Sequence, residues 1–377
     1  MKALIVTPYF PPRKGGLENY AYNISKILSE KGHDITIFSS GNTKESYNFK
    51  VIRVNNKISI SNTPLDFVLP KLSKLVKEED FDLINAHMPV PFYADMAAIA
   101  ARRNNIPFIL TYHNDVVKEG LLLGLLASSY NKSLLQFTLR SADRIITPSP
   151  YVYNESPLIK NFADKTALIP PGVDPEKYKP GEGHVKKRYN LSSDSKIILF
   201  VGAMNRGHSH KGVDILLKAF SKIKMENVYL FLAGTGDMIP EYKKLAQNLG
   251  ISERVVFTGF IDEESLIDLY RGSYMLILPT LTPAEGFGMV LIEANACGTP
   301  VIGSKIGGIK YVIKDGKTGL LVPPGDPEAL AKAMQRLLED DELTKKMGSK
   351  GKKMVEKNYT WDKSVKLTAR VFEEVIL

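Results

Sequence analysis

Two glutamates eight residues apart, Glu285 and Glu293, are the side chains of this chain most suited to binding chemistry. A short apolar strand pattern ends at Thr280, Glu285 follows in a turn, and helical apolar spacing begins at Phe287. Along a helix, eight residues at about 1.5 Å each separate two carboxylates by roughly 10 to 12 Å. A carboxylate pair that acts on one bond needs a separation of about 5 to 9.5 Å. We therefore expect the two glutamates to bind different parts of one ligand, one a sugar and the other a ribose.

The turn between this strand and this helix is suited to an anion. The first amides of a helix have no intrahelical partners, and the helix dipole adds partial positive charge at the same end. Gly288 carries no side chain, so a ligand can approach the backbone closely. These features predict a diphosphate at the start of the helix, between the two glutamates.

A second candidate anion site follows the first predicted strand. Gly15 and Gly16 lie in PYFPPRKGGLENY (8–20), directly before the first predicted helix. Their bare amides could meet an anion or a hydroxyl-rich ligand. The alternative is a tight turn that requires glycine at a positive φ.

The signatures of other nucleotide sites are incomplete. AGTGDMI (233–239) and EGFGMVL (285–291) begin like dinucleotide-binding loops, but Ile239 and Leu291 stand where the third glycine belongs. The sequence also lacks a P-loop motif. These patterns disfavour a dehydrogenase and an NTPase.

The elements that must position these turns form two series. Ligands of open parallel sheets bind beyond the carboxyl ends of the strands, and alternating strand and amphipathic patterns predict such sheets. The strand patterns lie at 3–8, 34–40, 50–55, 82–87, 108–113, 144–149 and 166–171, and then at 197–202, 229–234, 255–259, 275–280, 300–304 and 319–324. We expect an α/β fold with two doubly wound Rossmann-like domains, residues 1–171 and 195–360, joined by a linker at 172–194 that is rich in Pro, Gly and charge.

Length and composition exclude several classes. The 377 residues exceed one ordinary core, and 44% hydrophobic with 24% charged residues is typical of a globular protein. The single Cys297 excludes an intrachain disulfide framework and a Cys-ligated zinc site. The net charge of +9 is shared by both halves without a basic stripe, which suits an anionic small substrate or membrane surface and disfavours nucleic acid. We expect a cytoplasmic protein, because the sequence has neither a cleavable leader pattern nor 18 uncharged apolar residues in a row.

Over nearly its whole length the chain resembles the retaining GT-B glycosyltransferases of family 4 (glycosyl transferases group 1). The resemblance is carried by PPRKGG, TYHNDV, IPPGVD, KGVDILLKAF, FTGF, DGKTGLLVPPGDPEAL and above all EGFGMVLIE with its following A-x-x-x-G-T-P-V. It implies a central cleft between the two domains, a nucleotide diphosphate sugar bound by the second domain, and an acceptor handled by the first. It also implies that the last helix, about 361–377, returns to the first domain and that no metal is required.

The resemblance assigns roles to the candidate residues. Glu285 would bind the hydroxyls of the donor sugar, and Glu293 the ribose of the nucleotide. The backbone amides that would meet the sugar and the diphosphate are those of Gly286, Phe287, Gly288 and Met289. Backbone near Gly259 and Phe260 would read the base, although Phe260 could equally be an ordinary core residue.

The resemblance also implies a histidine and a pair of cations. His113, which ends the strand pattern FILTYH, would lie beside the donor sugar and polarise a hydroxyl or stabilise developing charge; the alternative is a hydrogen-bonded loop residue. Lys211 would neutralise the diphosphate. Ala203 stands where the family commonly has an arginine, and we expect Arg206 to supply that charge. His208 and His210 are expected in a solvated loop and not at a metal.

The sequence thus predicts a retaining hexosyltransferase that uses a hydroxyl acceptor. A sugar-nucleotide epimerase or hydrolase and a disaccharide phosphorylase are alternatives on the same fold. A basic membrane-surface or RNA-binding module is the alternative from a non-enzyme class.

One expectation concerns a lipid-linked acceptor or a cell-surface glycan precursor, with the protein peripheral at the inner membrane face. Residues 64–80 form an amphipathic helix pattern, and 120–137 are apolar but too short to span a bilayer. The residues on the lysine side are Lys71, Lys74 and Lys77, and those on the apolar side are Leu65, Val68, Leu69, Leu72, Leu75 and Val76. The alternative is that these helices only cover the first sheet.

Overall fold

The computed structural model describes residues 1–13, 15–42, 45–54, 59–60, 63–64, 68–116, 121–283 and 285–377. The chain divides into two compact units. The first comprises Met1–Pro171 together with Trp361–Leu377, and the second comprises Gly172–Thr360. Each unit has one parallel sheet with helices around it, which confirms the α/β fold of two Rossmann-like parts.

The first unit is built on a seven-stranded parallel sheet. Its strands, with a two-stranded antiparallel ribbon of β4 and β5, are β1 (Lys2–Val6), β2 (Asp34–Ser40), β3 (Lys50–Val54), β4 (Ser59–Ile60), β5 (Thr63–Pro64), β6 (Leu83–Met88), β7 (Phe108–Tyr112), β8 (Arg144–Thr147) and β9 (Thr166–Leu168). The order across the sheet is β3-β2-β1-β6-β7-β8-β9. The helices are α1 (Gly16–Glu30), α2 (Val68–Glu78), α3 (Tyr93–Asn104), α4 (Leu121–Lys132), α5 (Leu134–Ser141) and α6 (Pro150–Asn154), with a 3₁₀ turn at Lys160–Lys165.

The second unit is built on a six-stranded parallel sheet. Its strands are β10 (Lys196–Val201), β11 (Val228–Ala233), β12 (Val255–Gly259), β13 (Met275–Leu278), β14 (Val301–Ser304) and β15 (Gly319–Val322), in the order β12-β11-β10-β13-β14-β15. Its helices are α7 (Val185–Arg188), α8 (Val213–Phe220), α9 (Ile239–Asn248), α10 (Glu263–Gly272), α11 (Met289–Ala296), α12 (Ile309–Val312), α13 (Pro327–Glu339) and α14 (Asp341–Asn358), with 3₁₀ turns at Arg206–Lys211 and Ser252–Arg254.

The central strands are apolar on both faces because helices cover both faces of a parallel sheet. All six residues of β6 are buried, as are four of the five residues of β1. Every strand of both large sheets overlaps a predicted strand pattern. The β4–β5 ribbon was not predicted, because two-residue strands give no readable periodicity.

Each sheet has a point where the chain reverses the direction in which it adds strands. In the first unit the chain builds β1, β2 and β3 outward and then adds β6 on the other side of β1. In the second unit it builds β10, β11 and β12 outward and then adds β13 on the other side of β10. The loops that diverge at such a switch point open a crevice in which ligands of these sheets bind.

The segment 172–194, which the sequence analysis assigns to a linker, is packed into the second unit. The Tyr178 hydroxyl donates to Glu263 at 3.1 Å, and the His184 amide donates to Asp268 at 2.6 Å. Val185 is fully buried in the core of this unit. These contacts explain why the boundary falls at residue 171 and not inside the segment.

Helix α15 (Trp361–Ile376) lies in the first unit and packs against α1. The Trp361 ring meets the Tyr20 ring edge-on with centroids 5.9 Å apart. The Ser364 hydroxyl donates to the Pro170 carbonyl at 2.6 Å. The helix therefore completes the first unit although it follows the second in sequence.

None of the helices in the described ranges combines the length and the apolarity needed to cross a membrane. Helix α2 buries Val68, Leu72 and Val76 and packs against α3, so its apolar face is occupied within the unit. Its lysines are exposed, as the pattern predicts. Leu65 lies outside the described residues.

Candidate functional site

The candidate site in the second unit centres on an ion pair between two loops. Lys211 ends the 3₁₀ turn that follows β10, and Glu285 lies in the turn that follows β13. The Lys211 Nζ donates to Glu285 Oε2 at 2.8 Å. The two side chains are only 17% and 20% exposed. Burial by itself would raise the pKa of Glu285, but the Lys211 ammonium and the nearby His210 and His208 imidazoles bring it below its ordinary value. Glu285 is therefore ionised at neutral pH.

Close backbone approach holds the two loops together at the switch point. Gly212 has a φ of 70°, and a Cβ there would lie 2.2 Å from the Pro279 carbonyl oxygen. The Leu281 amide donates to the His210 carbonyl at 2.7 Å. A side chain at position 212 would separate the loops. Gly212 is therefore required for packing, and Lys211 before it supplies the charge.

The turn from Glu285 to Gly288 leads into α11, which begins at Met289. The helix was predicted to begin at Phe287, but Gly288 adopts a left-handed conformation (φ 87°, ψ 67°) and the Phe287 side chain is buried, with its ring 5.5 Å from that of Tyr359. The Gly308 amide donates to the Glu285 carbonyl at 3.0 Å. The anchored ring and this hydrogen bond together fix the turn that carries the predicted anion-binding amides.

Gly308 also allows the next loop to pass close to this turn. A Cβ at Gly308 would lie 1.9 Å from the Gly286 carbonyl oxygen. The GGIKYV segment (307–312) thus packs against the turn and supports its backbone. This contact was not predicted, because a close approach between loops 22 residues apart leaves no local pattern.

Glu293 lies on α11 and is 8% exposed. The Tyr270 hydroxyl donates to its Oε2 at 2.7 Å. Burial raises the pKa of Glu293 to about 7, and the hydroxyl of Tyr270 opposes that shift. Glu293 is therefore not a solvated residue on the outer face of its helix. Tyr270 was missed by the sequence analysis because nothing in the pattern of α10 distinguishes it from a core aromatic residue.

Gly259 and Phe260 lie where β12 ends. Gly259 has a φ of 70°, and its carbonyl accepts the Gly234 amide at 3.1 Å. Phe260 is 66% exposed, so the alternative of an ordinary core position is wrong for this residue. An exposed ring at the carboxyl end of a parallel sheet is available to stack on a planar ligand.

Arg206 is not brought to the Lys211–Glu285 pair. Its Nη2 donates to Glu241 at 2.7 Å on the surface, where the arginine side chain is 73% exposed. Its amide donates to Asp237 at 2.9 Å, which ties the residue to the loop after β11. We expected Arg206 to fold back and supply the charge that the family's arginine would carry at position 203, where this chain has Ala203. In the structure Arg206 lies elsewhere, on the surface beside Glu241. The groups that lower the pKa of Glu285 are Lys211, His210 and His208.

In the first unit, His113 follows β7 and meets a second histidine. Its Nε2 lies 3.1 Å from Nδ1 of His87 on β6, and the Tyr20 ring packs edge-on against it with centroids 5.0 Å apart. Burial lowers the pKa of His113 to about 4. His113 is therefore neutral at physiological pH and joins a buried polar network. His87 was not predicted, because it lies within an apolar strand pattern.

Gly15 precedes α1 with a φ of 173° and a ψ of 171°, which is extended backbone. The alternative of a turn that needs a positive φ is therefore wrong at this position. A Cβ at Gly15 would lie 2.4 Å from Oε2 of Glu18. Glu18 is buried, which raises its pKa, and it pairs with Arg13 Nε at 3.3 Å. Gly16 begins the helix, so the helix start is already faced by a carboxylate of the chain itself.

Metal ligation has no candidate cluster in the described ranges. They contain no group of three or more His, Cys, Asp or Glu side chains that could hold a metal ion. The rings of His208 and His210 are tilted by 37° to each other with centroids 5.8 Å apart, and His208 Nδ1 pairs with Asn205 Oδ1 at 2.7 Å.

Comparison with known proteins covers both units. The family model "Glycosyl transferases group 1" matches residues 183–354, and "Glycosyltransferase Family 4" matches residues 14–177. The O-antigen chain mannosyltransferase C of Escherichia coli is 30% identical over 94% of this chain and 93% of its own length. The GDP-mannose-dependent alpha-(1-6)-phosphatidylinositol monomannoside mannosyltransferase of Mycolicibacterium smegmatis is 27% identical over 95% and 94%.

A solved structure shares the fold over the whole chain. Anabaena HepE, crystallised in complex with UDP, superposes with a TM-score of 0.82 over 99% of this chain and 100% of its own, at 21% identity. At that identity the likeness establishes the architecture alone. The chain has two parallel sheets with loops at their switch points, matches two family models and has a relative that is 30% identical over 94% of its length. It therefore belongs to the GT-B glycosyltransferases of family 4.

Proposed function

We propose that this glycosyltransferase transfers a hexose from a nucleoside diphosphate sugar to a hydroxyl acceptor and retains the configuration of the anomeric carbon. The observation that carries the proposal is the half-buried Lys211–Glu285 pair beside the start of α11, at the switch point of the second sheet. A hexose donor is supported by the mannosyltransferases among the relatives. Retention is supported by the resemblance to retaining enzymes.

Lys211 and the amides at the start of α11 stabilise the departing diphosphate. Charge develops on the diphosphate oxygens as the bond to the sugar breaks, and a fixed cation with oriented dipoles lowers the barrier without reorganisation. The pairing of Lys211 with Glu285 holds the ammonium in a single position before the donor binds. Glu285, ionised by this partner, accepts hydrogen bonds from sugar hydroxyls.

Glu293 and Phe260 bind the nucleoside. The Glu293 carboxyl keeps one oxygen on Tyr270 and offers the other to the ribose hydroxyls. The exposed ring of Phe260 and the backbone beside it meet the base. The names of the relatives give two bases, guanine for the mannosyltransferase that depends on GDP-mannose and uracil for HepE.

His113 accepts a hydrogen bond from a sugar hydroxyl. It is neutral, so it acts as a dipole and not as a cation. The reaction needs no metal, because Lys211 and the helix start supply the positive charge that a divalent ion would otherwise bring to a diphosphate. Activity that survives a chelator would support this proposal, and activity restored only by a divalent cation would contradict it.

We propose further that the acceptor is lipid-linked and that the first unit approaches an anionic membrane surface from the cytoplasmic side. Leu125 and Leu126 are neighbours on α4 and are 62% and 59% exposed, so they present two adjacent apolar side chains at the surface. The exposed lysines of α2 add positive charge to the same unit. The name of one relative specifies a phosphatidylinositol mannoside as its acceptor.

The test is a donor screen followed by product analysis. UDP-, GDP- and ADP-sugars are compared for the rise in melting temperature that a ligand of the native state produces. The donor that binds is then incubated with lipid-linked and soluble hydroxyl acceptors, and the anomeric configuration of the product is read by NMR. A glycoside of retained configuration is expected. An epimerised donor, or free sugar formed equally with and without acceptor, would contradict the proposal.

A further inference from the structure

A chain of polar side chains runs through the apolar core of the first sheet and ends at His113. Asn85 and His87 alternate along β6, so both point to one face of the sheet, and Thr111 lies beside them on β7. They are 1%, 0% and 2% exposed. Burying three polar side chains between apolar strands is costly unless each is hydrogen-bonded. The directions of the hydrogen bonds among these side chains determine which nitrogen of each histidine carries a proton.

The first link is fixed by a backbone carbonyl, which can only accept. Asn85 Nδ2 donates to the Ile109 carbonyl at 3.2 Å and to Thr111 Oγ1 at 2.9 Å. The Ile109 carbonyl therefore fixes which end of the amide is the nitrogen, and Oδ1, which also accepts from Thr111 Oγ1 at 3.3 Å, is the atom that faces His87. His87 Nε2 lies 3.1 Å from that Oδ1. Since the amide oxygen has no hydrogen, His87 must carry its proton on Nε2.

The second hydrogen bond, between His87 and His113, determines the tautomer of His113. Burial, with a smaller effect from His113, lowers the pKa of His87 well below its ordinary value, so the ring is neutral and holds one proton only. Its Nδ1 is then an acceptor, and the partner 3.1 Å away, Nε2 of His113, must donate. His113 is also neutral, so its own Nδ1 carries a lone pair.

The ring of His113 is held against rotation by its neighbours. The Tyr20 ring meets it edge-on at 5.0 Å and meets the His87 ring at 5.9 Å. Trp361 closes the other side of Tyr20 at 5.9 Å. Within the described residues, His113 makes its side-chain hydrogen bond through Nε2 alone. Nδ1 therefore remains available to a ligand.

We propose that Asn85 and His87 are positioning residues that hold His113 in the neutral Nε2–H tautomer, so that its Nδ1 accepts the hydrogen of a substrate hydroxyl. The identity of that hydroxyl as part of a sugar rests on the proposed function. The direction of the hydrogen bond does not, because the Ile109 carbonyl sets it.

The test begins with the ligand-free full-length protein. Multiple-bond ¹H–¹⁵N spectra of protein labelled with ¹⁵N-histidine distinguish the two neutral tautomers, and His113→Gln assigns the signal among the six histidines. We expect the Nε2–H form for His113 in the wild-type protein. In His87→Leu, which has no acceptor, we expect this preference to be lost. In His87→Asn, whose Oδ1 stands near the former Nδ1, we expect it to be kept.

Kinetics provide the second readout. With the donor found by the screen, His87→Leu should lower kcat by about 10- to 100-fold. This is less than the roughly 100- to 10,000-fold that a group transferring a proton itself contributes, because His87 acts through His113. Binding of the bare nucleoside diphosphate should stay unchanged, because it lacks the transferred sugar whose hydroxyl His113 would bind. His87→Asn should recover most of the loss. Met88→Leu, a fully buried neighbour on the same strand, is the packing control and should behave as wild type.

Two results would overturn the proposal. One is an Nδ1–H tautomer for His113 in the wild-type protein; the other is an unchanged tautomer and kcat in a folded His87→Leu. If His87→Leu does not fold, Asn85→Leu makes the same test one link earlier, since it removes the acceptor of the His87 Nε2–H. The tautomer is measured without substrate. A wrong tautomer therefore refutes this inference alone, whereas the expected tautomer without any sugar transfer would refute the proposed function.

Discussion

At the scale of single residues, the Lys211–Glu285 pair makes the sharpest prediction. Lys211→Ala should lower kcat by about 100- to 1000-fold, equivalent to about 3 to 4 kcal/mol, because a fixed charge-stabilising group is lost. The variant should fold, since the pair lies at the end of the sheet and not in its core. Steady-state kinetics and a melting curve measure both properties.

Lys218→Ala is the matched control for this change. Lys218 lies on α8, the helix that follows Lys211 in sequence, and forms an exposed ion pair with Asp214 at 3.2 Å. The loss of the Lys218 side chain should therefore leave kcat within about twofold of wild type. Equal losses in the two variants would mean that net charge matters and not the position of Lys211.

Arg206→Ala tests the departure from the family pattern. The arginine pairs with Glu241 on the surface, and exposed pairs are worth about 0 to 1 kcal/mol. We expect kcat within about twofold of wild type. A fall of tenfold or more in single-turnover rates would show that Arg206 leaves Glu241 and reaches the diphosphate when the donor binds.

Glu293 predicts a pH dependence of stability. Its pKa is raised by burial to about 7 in the folded protein, compared with an ordinary value of 4.5. Folding therefore favours the protonated carboxyl, and the stability that this gives is full below pH 4.5 and is lost as the pH rises through about 7. The Gln variant cannot ionise, so it should gain up to about 3 kcal/mol over wild type at pH 8 and little at pH 4.5.

Urea titrations of wild type and Glu293→Gln at the two pH values measure this difference. The same variant should bind the nucleoside diphosphate more weakly, because the carboxylate on the ribose is lost. Glu285→Gln serves as the comparison: it should lower kcat while the nucleoside diphosphate still binds. A gain in stability that is the same at both pH values would contradict the buried-carboxyl explanation.

Single residues also show where sequence reasoning stopped. Glu285, Glu293 and Lys211 were named from strand ends, a helix start and a family motif, all of which are local in sequence. The partners Tyr270 and His87 were missed because they meet Glu293 and His113 only through tertiary packing, from neighbouring elements. Arg206 was misplaced because Glu241, which holds it, lies 35 residues further along the chain.

At the scale of elements, the turn before α11 depends on Gly308. The backbone of Gly308 has a φ of −69° and a ψ of −27°, which alanine adopts without strain, so Gly308→Ala isolates the collision with the Gly286 carbonyl. We expect a loss of about 1 to 3 kcal/mol of unfolding free energy and reduced kcat, because the turn must move.

Gly207→Ala is the control for this change. A Cβ at Gly207 would have only Asn205 Oδ1 within 4 Å, at 3.5 Å, which is ordinary contact. Its stability should therefore stay within about 0.5 kcal/mol of wild type. A stable, fully active Gly308→Ala would show that the turn can shift without loss of function.

Elements themselves were largely predictable. Parallel strands buried on both faces give long apolar runs, and each run in the sequence became a strand. The start of α11 was placed two residues early, because Phe287 fits the apolar spacing of a helix while its ring is in fact an anchor for the turn. Segment 172–194 was taken as a linker because its contacts with α10 leave no periodic pattern.

At the scale of the whole molecule, the membrane proposal makes the last prediction. Replacing Lys71, Lys74 and Lys77 by Gln should weaken binding to vesicles that contain anionic lipid by about 10- to 100-fold at low salt, because each lysine near such a surface contributes about 1 kcal/mol and Lys74 already pairs with Glu78. Vesicle sedimentation measures the change. Melting temperature should be unaffected, since all three side chains are exposed.

A triple change in the second unit controls for net charge. Lys345, Lys346 and Lys350 are exposed on α14, and their replacement by Gln should leave vesicle binding nearly unchanged. The proposal fails if wild type ignores anionic vesicles at low salt, or if the two triple variants lose binding equally.

The position of α15 in the first unit has a consequence for how the protein is made. On a ribosome the second unit, Gly172–Thr360, is complete before α15 has been synthesised, so it can fold while the first unit still lacks a helix. During that interval the face of α1 that later meets Trp361 is bare. We expect nascent chains arrested shortly after Thr360 to resist protease across the second unit and to be cut within the first. The amino-terminal half would then be the one that relies on chaperones during synthesis.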